Sequence, residues 1–343
     1  MMKLLFGTLV KRLTIIVFLL IAGIVSTLPL PANMEGQLHS HARPTPTPPG
    51  PLPPRNSNNP DDPRPRPSPT PCPGLRECTA EEDKTPPQLH VEFPGPNGMT
   101  LHGHLYVPGV NTKAELAAVT KRFPAMIYNH GSEPNPKGVP SLAKLYIDHG
   151  FVFFAPDRHG QGLSKGAGPY IVDEERKLGS LLFGQLDVLL HELYNEDVIA
   201  AVEWFKNQPY VERQHIAMTG ISYGGIQTLL TAEKDPGIRA YVPFAPAAES
   251  WGDSVLRDRL VTAVQKEKAP MFIIQAEGDY DLGPVTTLGN VLHQKADATK
   301  WKSKLYPRFG CSNNDAHAVF AMNCDGIVVW DQDVLGFLNK WVK

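Results

Sequence analysis

"IAMTGISYGGIQTLL", Ile216–Leu230, decides how this chain is read. Its first part, with His215 in front, gives "HIAMTG", a short apolar run of the kind that fills a strand buried on both faces of a parallel sheet. A helix is expected from about Tyr223 to Lys234. Only a sharp turn fits between the two, and it holds a serine: Gly220-Ile221-Ser222-Tyr223-Gly224. A serine hydroxyl is a weak nucleophile until a base takes its proton, and it needs a rigid, accessible perch. A tight strand-to-helix turn supplies the perch if the residues two before and two after are too small to collide. Gly220 and Gly224 meet that condition, and Gly225 lets the helix lie close to the sheet. The plainer reading of Ser222 is a turn or helix-cap serine.

Outward from this turn the pattern repeats. "LHVEF" and "MTLHGHLYVP" alternate apolar and polar residues around Gly95–Gly98, as a hairpin does. "FPAMIYNHG", "FVFFAPD", "IRAYVPFAP", "APMFIIQAEGD" and "KSKLYPRF" read as further strands. Between them lie helical stretches: "PSLAKLYIDHG", the long "GQLDVLLHELYNEDVIAAVEWFKNQP", one near Ser254–Glu267, "PVTTLGNVLHQKA" and the last, "DVLGFLNKW". The expected fold class is α/β: one domain with a mostly parallel central sheet, helices on both faces and an antiparallel N-terminal hairpin. Ligands of such sheets sit at the carboxyl ends of the strands, so chemistry is sought directly after each strand.

Ser222 follows "HIAMTG". In folds with a serine at such a turn, the order along the chain is serine, acid, histidine. "QAEGDYD" offers Glu277, Asp279 and Asp281; Asp279 stands at the strand exit and is preferred, with Asp281 the alternative. His317, in "GCSNNDAHAVF", lies in a loop after the last strand and is the expected base. His293 falls in a helical stretch and is expected on the surface or in packing. Two backbone amides should face the developing oxyanion: Tyr223, next to the nucleophile, and Gly131 or Ser132 after "AMIYNHG". Asp157, Arg158 and His159 in "APDRHGQGLS" are read as a loop of buried charges that supports the turn. His102 and His104 share one strand face, but two histidines make a poor metal site, so no metal and no cofactor is expected.

"NHG", "APDRHGQGLS", "GISYGG", "QAEGDYD" and the His317 loop stand in the order of an α/β hydrolase. The chain resembles the dienelactone-hydrolase-like and prolyl-oligopeptidase-like branch of that superfamily over about Gln88–Lys343. It departs from the dienelactone hydrolases proper, whose nucleophile is a cysteine. No residues here could build the propeller of the oligopeptidases. The resemblance implies a serine hydrolase that forms an acyl-enzyme on Ser222 with His317 as base and Asp279 as its orienter. It favours small-molecule or polymer esters. The alternatives are an amidase or peptidase with the same residues, or an inert surface-binding protein on a hydrolase scaffold.

The 343 residues are 42% hydrophobic, enough for a large core, and the net charge of −2 is spread without a basic block, which argues against nucleic acid as a partner. Residues 1–34 read as a signal peptide or a membrane anchor. Lys3, Lys11 and Arg12 precede an uncharged apolar stretch, and about 18 apolar residues, near 13–30, approach the lower limit for a bilayer span. Either reading places the rest of the chain outside: periplasmic, extracellular or anchored facing outward. Residues 35–87 carry nearly half of the prolines and read as a disordered linker, leaving 88–343 as the catalytic domain. Cys72, Cys78, Cys311 and Cys324 form two local pairs, and disulfides Cys72–Cys78 and Cys311–Cys324 are expected in an exported chain.

Overall fold

The computed structural model describes residues 72–82, 84–179 and 183–343. The expected signal or anchor, and most of the proline-rich stretch, lie outside the described residues. No helix among the described residues is long and apolar enough to cross a membrane.

Eight strands form one sheet: β1 (Leu89–Pro94), β2 (Thr100–Tyr106), β3 (Phe123–Asn129), β4 (Val152–Asp157), β5 (Val211–Ile221), β6 (Ala240–Phe244), β7 (Met271–Ala276) and β8 (Trp301–Tyr306). Their order across the sheet is β1-β2-β4-β3-β5-β6-β7-β8. The β1–β2 hairpin forms as expected, in register from Leu89 opposite Leu105 to Pro94 opposite Thr100. Strand β2 also runs antiparallel to β4, and every later pairing is parallel. Burial follows position. The edge strand β1 alternates between buried and exposed residues, whereas β4 and β7 are buried at every residue.

Neighbouring strand residues point to opposite faces, and each face packs its own layer. Phe154 and Ile273 join one apolar layer with Val202, Phe205, Leu229 and Leu260. Phe153 and Ile274 join the other with Tyr146, Trp330, Val334 and Phe337. The first layer is roofed by helices Phe183–Lys206, Tyr223–Lys234 and Ser254–Lys266, and the second by Pro140–Asp148 and Cys324–Trp341. In chain order these are α1 (Pro140–Asp148), α2 (Phe183–Lys206), α3 (Tyr223–Lys234), α4 (Ser254–Lys266) and α5 (Cys324–Trp341).

Helix α5 begins nine residues before the expected "DVLGFLNKW". Its first turns contain Gly326, Ile327, Val328 and Val329, which are poor helix formers by propensity. Tertiary packing overrides that preference. Ile327, Trp330, Val334 and Phe337 repeat at helical spacing on the buried face. The Trp330 indole donates to the Phe320 carbonyl at 2.8 Å. A Cβ at Gly326 would stand 2.3 Å from that same carbonyl oxygen, so the close approach requires glycine.

The disulfide expectation is corrected. Cys72 is bonded to Cys311 and Cys78 to Cys324, with Cα atoms 5.2 and 6.0 Å apart. The physical reason is that Cys72–Glu82 lies along the segment after β8 instead of closing on itself. Gly310 donates its amide to the Pro73 carbonyl at 2.5 Å. Gly74 fits under the Phe309 ring, where a Cβ would meet Cδ2 at 2.4 Å. Arg76 is paired with Glu82 at 2.6 Å and reaches the Cys324 carbonyl at 3.4 Å. The end of the proline-rich stretch is thus stapled to the α/β domain.

Candidate active site

Strand β5 ends at Ile221 and α3 starts at Tyr223, leaving one residue for the reversal. That residue, Ser222, has φ 55° and ψ −119°, a backbone region that L residues with side chains rarely occupy. The strain is held from several sides. The Ser222 amide donates to the Phe244 carbonyl at 3.1 Å, and its own carbonyl accepts from Ile226 (3.0 Å) and Ala247 (3.4 Å). The flanking glycines are required by contact: a Cβ at Gly220 would stand 2.4 Å from the Gly224 oxygen, and one at Gly224 only 1.9 Å from the Asn129 oxygen. Ser222 is half-buried and lines a cavity of about 240 Å³ together with Ser132, Tyr223, Ala247 and Glu249.

Asp279 and His317 meet. His317 Nδ1 donates to Asp279 Oδ1 at 2.9 Å, and both residues are 6% exposed. Asp279 lies three residues past the end of β7. It also accepts from its neighbour's amide, Tyr280 N, at 2.6 Å and from Gln275 Nε2 at 2.9 Å. With Nδ1 carrying the proton, Nε2 keeps its lone pair, and Nε2 is buried without a hydrogen-bond partner. A bond from the Ser222 hydroxyl to this nitrogen is therefore not closed here. The two sites are nonetheless near each other: the Tyr280 ring packs edge-on against His317 at 5.3 Å, and Glu249, whose charge acts on the Tyr280 phenol, lines the serine cavity. His317 sits in a π-helical turn, Asp315–Val319, and not in an open loop as expected.

The other acids are engaged elsewhere. Asp281 caps Gly283 through Oδ1 at 2.7 Å, and Glu277 is exposed. Among the described residues, His293 contacts Ser303 at 3.2 Å. Sequence reasoning missed Gln275. This buried amide on β7 holds Asp279 from one side, donates to the Asp281 carbonyl at 2.7 Å and accepts from Val285 N at 3.2 Å. Its only signal is a glutamine in an otherwise apolar strand.

Tyr223 supplies the first amide of α3, which has no acceptor within the helix. Across the cavity, the Gly131–Ser132 loop is tied down through its carbonyls. The Gly131 oxygen accepts from Arg158 Nη2 at 2.6 Å, and the Ser132 oxygen accepts from the Tyr170 hydroxyl. His130 Nε2 lies 3.3 Å from the Arg158 amide, and Nδ1 lies 2.9 Å from both the Gly131 carbonyl and Arg158 Nη2. Burial, and then the nearby Arg158 charge, hold this imidazole well below its usual range. The Arg158 guanidinium is 2% exposed, and burial pulls its pKa down. It lies 4.5 Å over the Tyr223 ring. Asp157 and His159 serve the same loop: Asp157 accepts from Leu163 N at 2.7 Å and faces His104 at 3.3 Å, while His159 pairs with Asp197 at 2.7 Å. His102 stands 3.9 Å from Glu92.

Three more cavity residues escaped the sequence reading: Glu175, Asp187 and His191. Their signal was the four-residue spacing of Asp187 and His191 on α2. A larger cavity, about 380 Å³, is lined by Gln214, Arg239, Pro270 and Lys300. It sits where β6, β7 and β8 begin, at the opposite end of the strands from Ser222 and Asp279.

The profile of the X-Pro dipeptidyl-peptidase family (S15 family) matches residues 97–308, well over half of the chain. The chain belongs to this family. It is a hydrolase of the α/β serine-hydrolase type, and its sheet order and antiparallel start are those of the α/β-hydrolase fold. A polyketide transferase, grgF, from Penicillium sp. is 28% identical over 186 residues, 54% of each chain. The chain thus spans about half the length of this curated relative. Solved structures share the fold at low identity. Pyrococcus horikoshii acylaminoacyl peptidase superposes with TM-score 0.54 and 17% identity over 76% of this chain and 42% of its own. A dienelactone hydrolase from Klebsiella pneumoniae gives TM-score 0.51 and 15% identity over 74% of this chain and 99% of its own.

Proposed function

We propose that this serine hydrolase cleaves carboxylic esters through an acyl-enzyme on Ser222, with His317 as base and Asp279 as its orienter. The observation that carries the reading is the Asp279–His317 pair. Its carboxylate fixes the proton on Nδ1, and the remaining lone pair on Nε2 is buried and unpartnered. An imidazole in that state can take a proton from a hydroxyl and return it to a leaving group.

Substrate enters the cavity lined by Ser222, and the hydroxyl closes on His317 Nε2; catalytic hydrogen bonds are often open in the free enzyme and tighten in the complex. The serine oxygen attacks the carbonyl carbon while its proton passes to Nε2. Asp279 stabilises the imidazolium that results. The amides of Tyr223 and the Gly131–Ser132 loop receive the oxyanion, in a site where preorganised donors cost no reorientation. His317 then protonates the departing alkoxide, and the acid is released when water, deprotonated by the same nitrogen, attacks the acyl-enzyme.

Peptide or amide cleavage by the same residues is the second reading, and the family match favours it, since that family is described by its dipeptidyl-peptidases. The two disulfides support an oxidising compartment, and we infer export with residues 1–34 acting as signal or anchor.

The test compares nitrophenyl esters with nitroanilides of the same acyl groups, X-Pro dipeptides included, on the full-length protein and on Ser222→Ala. Ester turnover far above anilide turnover, abolished in Ser222→Ala, is expected. Anilide turnover at a comparable rate overturns the ester assignment. Failure of a fluorophosphonate probe to label folded protein overturns the nucleophile.

A further inference from the structure

The cavity that holds Ser222 carries a group of side chains that the proposed hydrolysis does not use. Asp187 and His191 stand one turn apart on the same face of α2, with Asp187 Oδ2 3.6 Å from His191 Nε2. Glu175, at the end of the short helix Ile171–Glu175, completes the group. The three side chains offer ligand atoms that all lie within 4.8 Å of one another. Asp187 is 4% exposed and His191 3%.

Buried groups of this kind are normally satisfied by hydrogen bonds, because a carboxylate or imidazole withdrawn from water without a partner costs several kcal/mol. Here the satisfaction is incomplete. The 3.6 Å contact between Asp187 and His191 is longer than a hydrogen bond. His191 Nδ1 is buried and has no partner. Glu249 brings a third carboxylate to the cavity wall, and no lysine or arginine lines it. The cavity wall therefore brings three carboxylates and an imidazole together, with space in front of them and no lysine or arginine among the lining residues.

An imidazole beside two carboxylates is the donor set of a divalent first-row metal ion. Ligands at bond lengths of about 2.0–2.2 Å stand no more than roughly 4.4 Å apart across the ion, so the present spread closes with small side-chain movements.

We propose that Glu175, Asp187 and His191 form a binding site for a divalent cation of the zinc or manganese class in the wall of the cavity that holds Ser222. Three protein ligands leave at least one coordination position free, as in sites that take a water or a substrate oxygen. The site would neutralise the acidic wall and anchor an oxygen donor of the substrate beside the serine.

The site shares its cavity with the proposed nucleophile, but its test does not depend on serine chemistry. Full-length Ser222→Ala is stripped with a chelator and titrated with Zn²⁺ by calorimetry and with Co²⁺ by visible absorption. One equivalent bound, with micromolar or tighter affinity, is expected. The affinity should fall at least tenfold when His191→Ala, and separately Glu175→Gln, is added. If His191→Ala does not fold, Glu175→Gln, a near-isosteric change, carries the test alone. Absence of stoichiometric binding overturns the proposal. So does stoichiometric binding that the folded variants leave unchanged, since the ion then sits elsewhere.

Discussion

The reversal at Ser222 is made by its immediate chain neighbours and braced by the backbone of Phe244 and Ala247, whereas the turn that carries His317 is bracketed by two disulfides that reach back 239 and 246 residues. At the serine, two glycines and a strand-to-helix junction leave one residue to make the reversal, and the strained φ of 55° follows. At the histidine, neither neighbour in sequence dictates the geometry. Asp279 arrives from another strand end, Gly310 is tied to Pro73, and Cys311 and Cys324 are stapled to a segment that precedes the first strand. The proposed nucleophile is a mostly local device and the proposed base a tertiary one. Substitutions that act through neighbours should damage the first, and those that act at a distance should damage the second.

The sharpest break of this comparison is chemical. His317→Ala should lower kcat/KM by about 10⁴–10⁶-fold, roughly 5–8 kcal/mol of transition-state stabilisation, with the fold intact by circular dichroism. His159 is the control. It too is a buried imidazole paired with an aspartate, Asp197 at 2.7 Å, and it lies stacked on Tyr194 at 3.9 Å. His159→Ala should cost stability and leave most of the turnover. Equal losses of kcat in the two folded variants would remove the special role of His317. Next in size, Asp279→Asn should cost about 10⁴-fold in kcat by favouring the wrong tautomer of His317, while Asp281→Asn leaves kcat nearly unchanged.

Stability separates the two devices in turn. Gly224→Ala forces a Cβ to within 1.9 Å of the Asn129 oxygen, backbone that cannot yield, and should destabilise by about 3 kcal/mol or more. Gly336→Ala, with open space around it on α5, should stabilise by about 0.5–1 kcal/mol. Thermal melts of the pair check both signs. Removing Cys72–Cys311 with a double serine substitution should cost about 2–4 kcal/mol in urea unfolding, because the bond closes a very long loop in the unfolded chain. The variant should also lose kcat beyond its loss of fold, since the His317 turn is released. Reductant should exceed this effect in wild type and add a further loss in the variant, because it also opens Cys78–Cys324.

The same contrast explains what the sequence disclosed. The elbow was legible because its requirements are local: small residues at fixed offsets, an apolar run before, a helix after. The succession of strands along the chain and the hairpin were legible because period-2 and continuous apolar runs report burial on one face or two. The disulfide pairing was not, because cysteine spacing says nothing about which distant segments lie side by side. The early start of α5 was hidden by Gly326 and its β-branched neighbours, whose propensity yields to the packing of Ile327 and Trp330. Glu175, Asp187 and His191 come from two helices, and only their meeting at the cavity singles them out.

Gln275 marks the boundary between the two kinds of information, and it carries the smallest predicted loss of turnover. Its side chain holds Asp279 Oδ2 while Tyr280 N and His317 occupy Oδ1, so the carboxylate is fixed through both oxygens. Gln275→Leu keeps the volume of a buried strand residue but frees one oxygen, and it leaves the Asp281 carbonyl and the Val285 amide without their partner. The expected result is a kcat reduced about tenfold, roughly 1.4 kcal/mol, with KM unchanged, because the group acts on the orienting acid and not on bound substrate. Gln275→Glu sharpens the point. A second carboxylate 2.9 Å from Asp279 cannot donate unless it is protonated, so the loss should deepen as pH rises through the shared titration of the pair and ease as it falls. A pH profile of the two variants side by side separates a residue that positions the acid from one that merely fills the strand: in the second case both profiles keep the wild-type shape.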